Sequence, residues 1–146
     1  MEAPSFDDLM CRLSALSVPF TVTSVEGALD LAFIMDAGMS GPQIDVWVGR
    51  PRRPGGILRL AELRFFKRNA EEAVLGLQLT KDAGISLDEV DHCFGQSDEM
   101  GVEVEGTAIY YTYHRDWGDL VFAFTPDGSA LREIVLSTEP APVVRR

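Results

Sequence analysis

The residues of this chain best suited to chemistry are two histidines, two cysteines and a crowd of carboxylates. Cys93 with His114 is a candidate thiol–imidazole pair, in which the ring takes the thiol proton and the thiolate attacks. His92, Cys93 and His114 with an aspartate are a candidate metal set. The spacing carries neither reading. It matches no zinc pattern of paired ligands at short intervals, and neighbouring helix residues such as His92 and Cys93 point to different faces. The plainer expectation is a core Cys93 on the buried face of a short helix, a partly exposed His92, and neither metal nor cofactor.

Asp98, Glu99, Glu103 and Glu105 fall in one stretch. Two carboxylates can act as general acid and base, but only where burial separates their pKa values. Here Gly101, Val102 and Val104 alternate with the acids, which places Glu103 and Glu105 on the solvent side of a strand. That describes an acidic face, not an active site. The glycines of Gly38–Gly41 and Gly55–Gly56 lack the Lys-Ser/Thr ending of a phosphate loop. No Gly-x-Ser-x-Gly elbow is present. The chain is expected not to be an enzyme.

The formal net charge is −10, which argues against a general binder of nucleic acid or anionic membrane. The charge is also unevenly spread. Arg50 to Arg68 holds seven basic residues and one acid, a local +6, and Asp82 to Gly106 holds eight acids and no Lys or Arg, a local −8. Such blocks either make two faces, one of which steers a charged partner, or pair with each other across the fold. Tyr110, Tyr111, Tyr113 and Trp117 lie just beyond the acidic block. In a strand over 107–115, Ile109, Tyr111 and Tyr113 share one face, and Tyr110, Thr112 and His114 share the other. One set packs on helices, and the other is left for solvent or a partner. Tyr and Trp beside carboxylates suit a protein-binding surface. The candidate partner-binding residues are therefore Asp98, Glu99, Glu103, Glu105, Tyr110, Asp116, Trp117 and Asp119.

The elements that must position these residues read as follows. Residues 5–17 form an amphipathic helix, with Ser5 as N-cap and Phe6, Leu9, Met10, Leu13 and Leu16 on one face. Period-two patterning over 20–23 and 29–35 predicts two strands around Gly27. A strand over 43–50 pairs with another over 57–67, whose slipped alternation implies a bulge. Residues 69–80 read as a short helix or irregular crossing. Ser86 and Glu89 cap a helix over 86–94, Ile85 staples to Val90, and Gly95 ends it. Strands over 107–114, 120–125 and 130–136 follow, joined by turns at Asp116–Asp119 and Pro126–Ser129. Helices and antiparallel strands are segregated, so the class is α+β, with a helix-then-meander order that occurs twice. A single domain over 1–137 and a tail over 138–146 are expected. Cys11 and Cys93 follow no disulfide spacing, the acidic first residues have no apolar signal region, and no apolar run is long enough to cross a membrane. These features predict a cytoplasmic protein.

The pattern Gly84-x-Ser86-x-x-Glu89-Val90-x-x-x-Phe94-Gly95, then Tyr111-x-Tyr113, Leu120-x-Phe122-x-Phe124, Asp127-Gly128 and Leu131-x-x-Ile134, resembles a particular helix–meander unit. That unit occurs in β-lactamase inhibitory protein and in the small lipoproteins of outer-membrane assembly. The resemblance over 84–137 implies the fold of the unit, and it maps no inhibitor contact onto a residue. No leader precedes Cys11, so anchoring and secretion are not implied. In size, acidity and order of elements the chain also resembles small cytoplasmic immunity proteins of bacterial toxin systems. Together these point to a non-enzymatic protein that neutralises a toxin or effector domain through an acidic, aromatic face. The alternatives are a cytosolic adaptor or secretion chaperone, and a small enzyme of unknown reaction.

Overall fold

The computed structural model describes residues 6–14, 16, 20–53, 56–67, 72–80, 83–102, 106 and 108–138. The fold is α+β. The described elements are α1 (Phe6–Ser14), α2 (Val22–Leu29), β1 (Leu31–Met35), β2 (Ile44–Pro51), β3 (Leu58–Phe66), β4 (Ala73–Leu79), α3 (Leu87–Phe94), β5 (Glu99–Val102), β6 (Ile109–Arg115), β7 (Gly118–Phe124) and β8 (Leu131–Ser137). All strands lie in one antiparallel sheet of order β1-β2-β3-β4-β8-β7-β6-β5. The helix-then-meander order thus occurs twice. The two four-stranded meanders join through their last strands, β4 and β8, with Leu75 opposite Leu136 and Leu77 opposite Ile134.

Period-two patterning puts one face of this sheet against the helices. β4 alternates strictly, with Ala73, Leu75, Leu77 and Leu79 buried. The same face carries Leu31, Leu63, Tyr113, Phe122, Ile134 and Leu136, which pack with Phe6, Leu9, Val25 and Val90 of the helices. Burying each such apolar side chain is worth about 1.5–3 kcal/mol. The other face, which includes Ile34, Val48, Glu62, Arg64, Gly76, Val135, Thr112 and His114, lies outside this core.

The described helices and strands correct three sequence expectations. Residues 20–23 lead into α2 and are not a strand. Thr21 Oγ1 accepts from the Ser24 N–H at 3.0 Å, and Ser24 Oγ accepts from the Thr21 N–H at 3.2 Å. This reciprocal cap overrides the β preference of Val22 and Thr23, because the helix brings Val25 and Leu29 together on the core side. Asp30, left-handed at φ 55°, ends α2 and turns the chain into β1. Second, much of 69–80 is β4, a central strand. Third, the acidic stretch, read as a strand but not counted with the last three, supplies Glu99–Val102 as the edge strand of the second meander and makes it four-stranded.

The bulge expected in 57–67 appears as a register shift between Leu58 and Leu60. The cap of α3 also appears, with the Glu89 carboxylate accepting from the Ser86 N–H at 2.9 Å, and with Ile85 and Val90 both buried. At the other edge of the sheet, Glu26 accepts from the Phe33 N–H at 2.8 Å. That contact covers a donor on β1 which would otherwise invite another strand. Thr138 is buried, and its Oγ1 accepts from the Ala73 N–H at 2.9 Å. Residues 139–146 lie outside the described residues.

Candidate functional site

The β6–β7 hairpin organises the site. Arg115 pairs with Gly118, so the four-residue turn is Arg115–Gly118, with Asp116 and Trp117 at its centre, one residue earlier than the Asp116–Asp119 turn read from sequence. Gly118 fixes that placement. Its φ is 149°, and a β-carbon there would stand 1.9 Å from the Ser137 carbonyl oxygen, so no other residue fits. The resulting register sets His114 directly across from Asp119.

His114 lies on the uncovered face and is exposed. Its Nδ1 is 2.7 Å from Asp119 Oδ1, and its Nε2 is bonded to Glu99. Its backbone N–H donates to Asp98 Oδ2 at 2.7 Å, and the Asp98 N–H donates to the Thr112 carbonyl at 2.9 Å. The hydrogen bond to Asp119, then that to Glu99, raises the His114 pKa above its ordinary value. Both ring nitrogens face carboxylates, so the arrangement favours an imidazolium that donates from both. Two acids clamp the ring and a third, Asp98, holds the backbone beneath it, so the cluster remains net negative.

The structure therefore brings together Asp98, Glu99 and Asp119 of the candidate residues. Tyr110 shares their face and is half-buried. Asp116 sits exposed in the turn. Trp117 does not join the patch. It packs on the helix side, its ring 6.4 Å from that of Phe20. Its apolar body gains more from that burial than from a place beside charged acids. Glu103 and Glu105 lie outside the described residues. The residue missed in sequence is His114 as the hub, because its partners depend on hairpin register.

The thiol–imidazole pair that the spacing did not favour does not form, since both His114 ring nitrogens are held by carboxylates on the uncovered face. Cys93 is exposed on α3, not buried as expected, because Val90 and Phe94 take the inward positions. Cys11 is exposed as well, and neither cysteine is in a disulfide. Although its side chain is exposed, partial desolvation against the neighbouring helix, then the Asp7 carboxylate, then Cys11, pushes the Cys93 thiol pKa up, which disfavours the thiolate a nucleophile needs. Among the described residues, no group of three or more His, Cys, Asp or Glu side chains is arranged to hold a metal ion.

The basic block sits on β2, β3 and their connection, near the opposite end of the sheet. Its ion pairs close locally, Arg53 with Asp30 at 3.0 Å, Lys67 with Asp45 at 3.3 Å, and Arg64 with Glu62. Such exposed pairs are worth little individually. Both sheet edges also expose apolar side chains, Ile34 at 75% and Met100 at 62%. Glu133 rises from β8 beside Gly76, half-buried, and that burial followed by repulsion from Glu62 raises its pKa.

No helix of the described residues is long and apolar enough to cross a membrane. No family model, no curated protein and no solved structure matches this chain.

Proposed function

We propose that this chain is a non-enzymatic protein-binding protein of the immunity or inhibitor type. It neutralises a basic toxin or effector domain by docking it on the uncovered sheet face, at the acidic end. The observation that supports this reading is the gathering of Asp98, Glu99 and Asp119 around His114 on a face that lies outside the helix-packed core. A rigid antiparallel frame holds those charges in fixed positions, so a basic partner is steered to them and registered by them. Tyr110 supplies an aromatic contact beside the charges. On this reading the protein acts in the cytoplasm, where free thiols stay reduced.

The test is charge reversal. A partner is first isolated by affinity capture with the full chain, then purified. Its binding is measured by calorimetry against wild type and an Asp98→Lys, Glu99→Lys, Asp119→Lys variant at two salt concentrations. The variant is expected to bind at least about tenfold more weakly, with a flatter salt dependence. Equal affinity for the two forms, with both folded by circular dichroism, overturns the assignment of this face.

A further inference from the structure

On the helix-covered side, beneath the tip of the β6–β7 hairpin, there is a hollow of about 270 Å³. Leu13, Phe20, Phe94, Trp117 and Leu120 are among its walls, and Arg115 is the charged one among the described lining residues. Arg115 follows His114 on β6, so the two side chains leave the sheet on opposite faces. The guanidinium carbon lies 5.4 Å from the centre of the Tyr113 ring and 6.0 Å from that of Phe94. The aromatic rings thus hold the cation in place at the mouth. Its one protein hydrogen bond among the described residues is a long one, from Nη1 to the His114 carbonyl at 3.3 Å. No carboxylate pairs with it there, although the chain carries 23 acids.

An apolar hollow and an unneutralised guanidinium on its lip make opposite demands on a ligand. The hollow favours a hydrocarbon body, and the guanidinium favours a planar anion that can accept two hydrogen bonds at once. We infer that this hollow binds an amphiphilic carboxylate, with an unbranched hydrocarbon chain among Leu13, Phe20, Phe94 and Leu120 and the head group on Arg115. A cavity of about 150 Å³ lined by Leu and Phe accepts a benzene-sized molecule, so this one has room for a chain of roughly ten carbons. An amine of the same length meets the wrong charge, and a short carboxylate leaves the hollow unfilled. The site lies on the opposite side of the sheet from the acidic cluster, and its test does not depend on a protein partner.

Trp117 lines the hollow and reports on it. In a Trp47→Phe background its fluorescence is followed while hexanoate, octanoate, decanoate and decylammonium are titrated into the full chain below their micelle concentrations. Each added methylene is expected to tighten carboxylate binding about fourfold until the hollow is full. Decylammonium is expected to bind at least about tenfold more weakly than decanoate, and Arg115→Gln to abolish that preference. Arg115→Lys keeps the charge without the fork and should fall between the two. Leu13→Trp fills the hollow and should block decanoate. The inference is overturned by an absent saturable response to decanoate, by equal binding of decylammonium, or by wild-type affinity in a folded Arg115→Gln protein.

Discussion

The ring of Phe33 on β1 lies over the α-carbon of Gly49, its direct partner on β2. A β-carbon added to Gly49 would meet three Phe33 ring carbons at 2.7–2.9 Å. Glycine here makes room for a neighbour. Gly49→Ala is expected to destabilise by about 1–3 kcal/mol through overpacking. Gly27, exposed on α2 with nothing within 4 Å of an added β-carbon, should behave oppositely. Gly27→Ala is expected to stabilise by about 0.5–1 kcal/mol through helix propensity. Urea denaturation of both variants checks the pair, and shifts of the same sign contradict this account.

His114 should titrate above the ordinary histidine value of about 6.5. Because its pKa is raised by folding, the stability it adds is fully present below about pH 6.5 and is lost as pH rises through the folded pKa. Asp119→Asn should lower the midpoint most, and Glu99→Gln less, in the order of their contributions. Proton NMR of the His114 ring reads the midpoint directly. The stability gap between wild type and His114→Gln should close as pH is raised. A midpoint at or below 6.5 would mean that the clamp is absent in solution.

Asp127 organises the last turn. Its Oδ1 accepts from the Thr125 hydroxyl at 2.6 Å, the Ser129 hydroxyl at 2.7 Å and the Ser129 N–H at 3.0 Å. These bonds, the Thr125 one first, hold its pKa down to about 2. Folding depresses this pKa, so the stabilisation is present above the unfolded value near 4 and is lost as pH falls through about 2. Asp127→Asn should therefore be less stable than wild type at pH 6, with the difference shrinking below pH 4. Parallel melts at both pH values test it, and a gap unchanged between them counts against the carboxylate.

Tyr113 is buried, and its hydroxyl donates to the Gly95 carbonyl at 2.7 Å, tying β6 to the end of α3. Tyr113→Phe keeps the ring packing against Phe94 and Phe122 while leaving that carbonyl without its donor. The expected cost is about 0.5–1.5 kcal/mol. Hydrogen exchange should report faster opening at the α3 C-terminus than in β2. Uniform loss across the sheet would assign the effect to packing instead.

Where several local signals agree, the sequence was readable. Ser86, Glu89 and Gly95 mark both ends of α3, and Phe122, Phe124, Ile134 and Leu136 alternate as inward residues of β7 and β8. Leu58 and Leu60 against Leu63 and Phe65 signalled an irregularity in β3, although the register shifts earlier than that pattern implies, between Leu58 and Leu60. α2 was hidden because Phe20 to Thr23 alternates over only four residues, too short a window to tell a strand from a capped helix. β4 was hidden because Asn69 with Glu72 reads as a helix start, which competes with the strand-like alternation of Leu75, Leu77 and Leu79. In the sheet the bare α-carbon of Gly76 sits on the uncovered face, and an added β-carbon would lie 3.4 Å from a Glu133 carboxylate oxygen. Asp98, Glu99 and Asp119 could be read as charge, but their convergence on His114 could not. It depends on a hairpin register decided by Gly118 and the Ser137 carbonyl, a contact between distant parts of the chain. Trp117 was placed with the acids by sequence proximity, whereas side-chain burial turns it to Phe20.

The joint between the two meanders has a consequence for biosynthesis. β4 is finished long before its partner exists, since Ala73 and Thr138, bonded at the end of the joint, are 65 residues apart in sequence. At a synthesis rate of about 5–20 residues per second, that delay lasts roughly 3–13 seconds. During it the nascent first half carries Leu75, Leu77 and Leu79 on a strand with one unpaired side. Until β8 is made, that open side of β4 is a template on which another strand can pair, and closing the joint removes it.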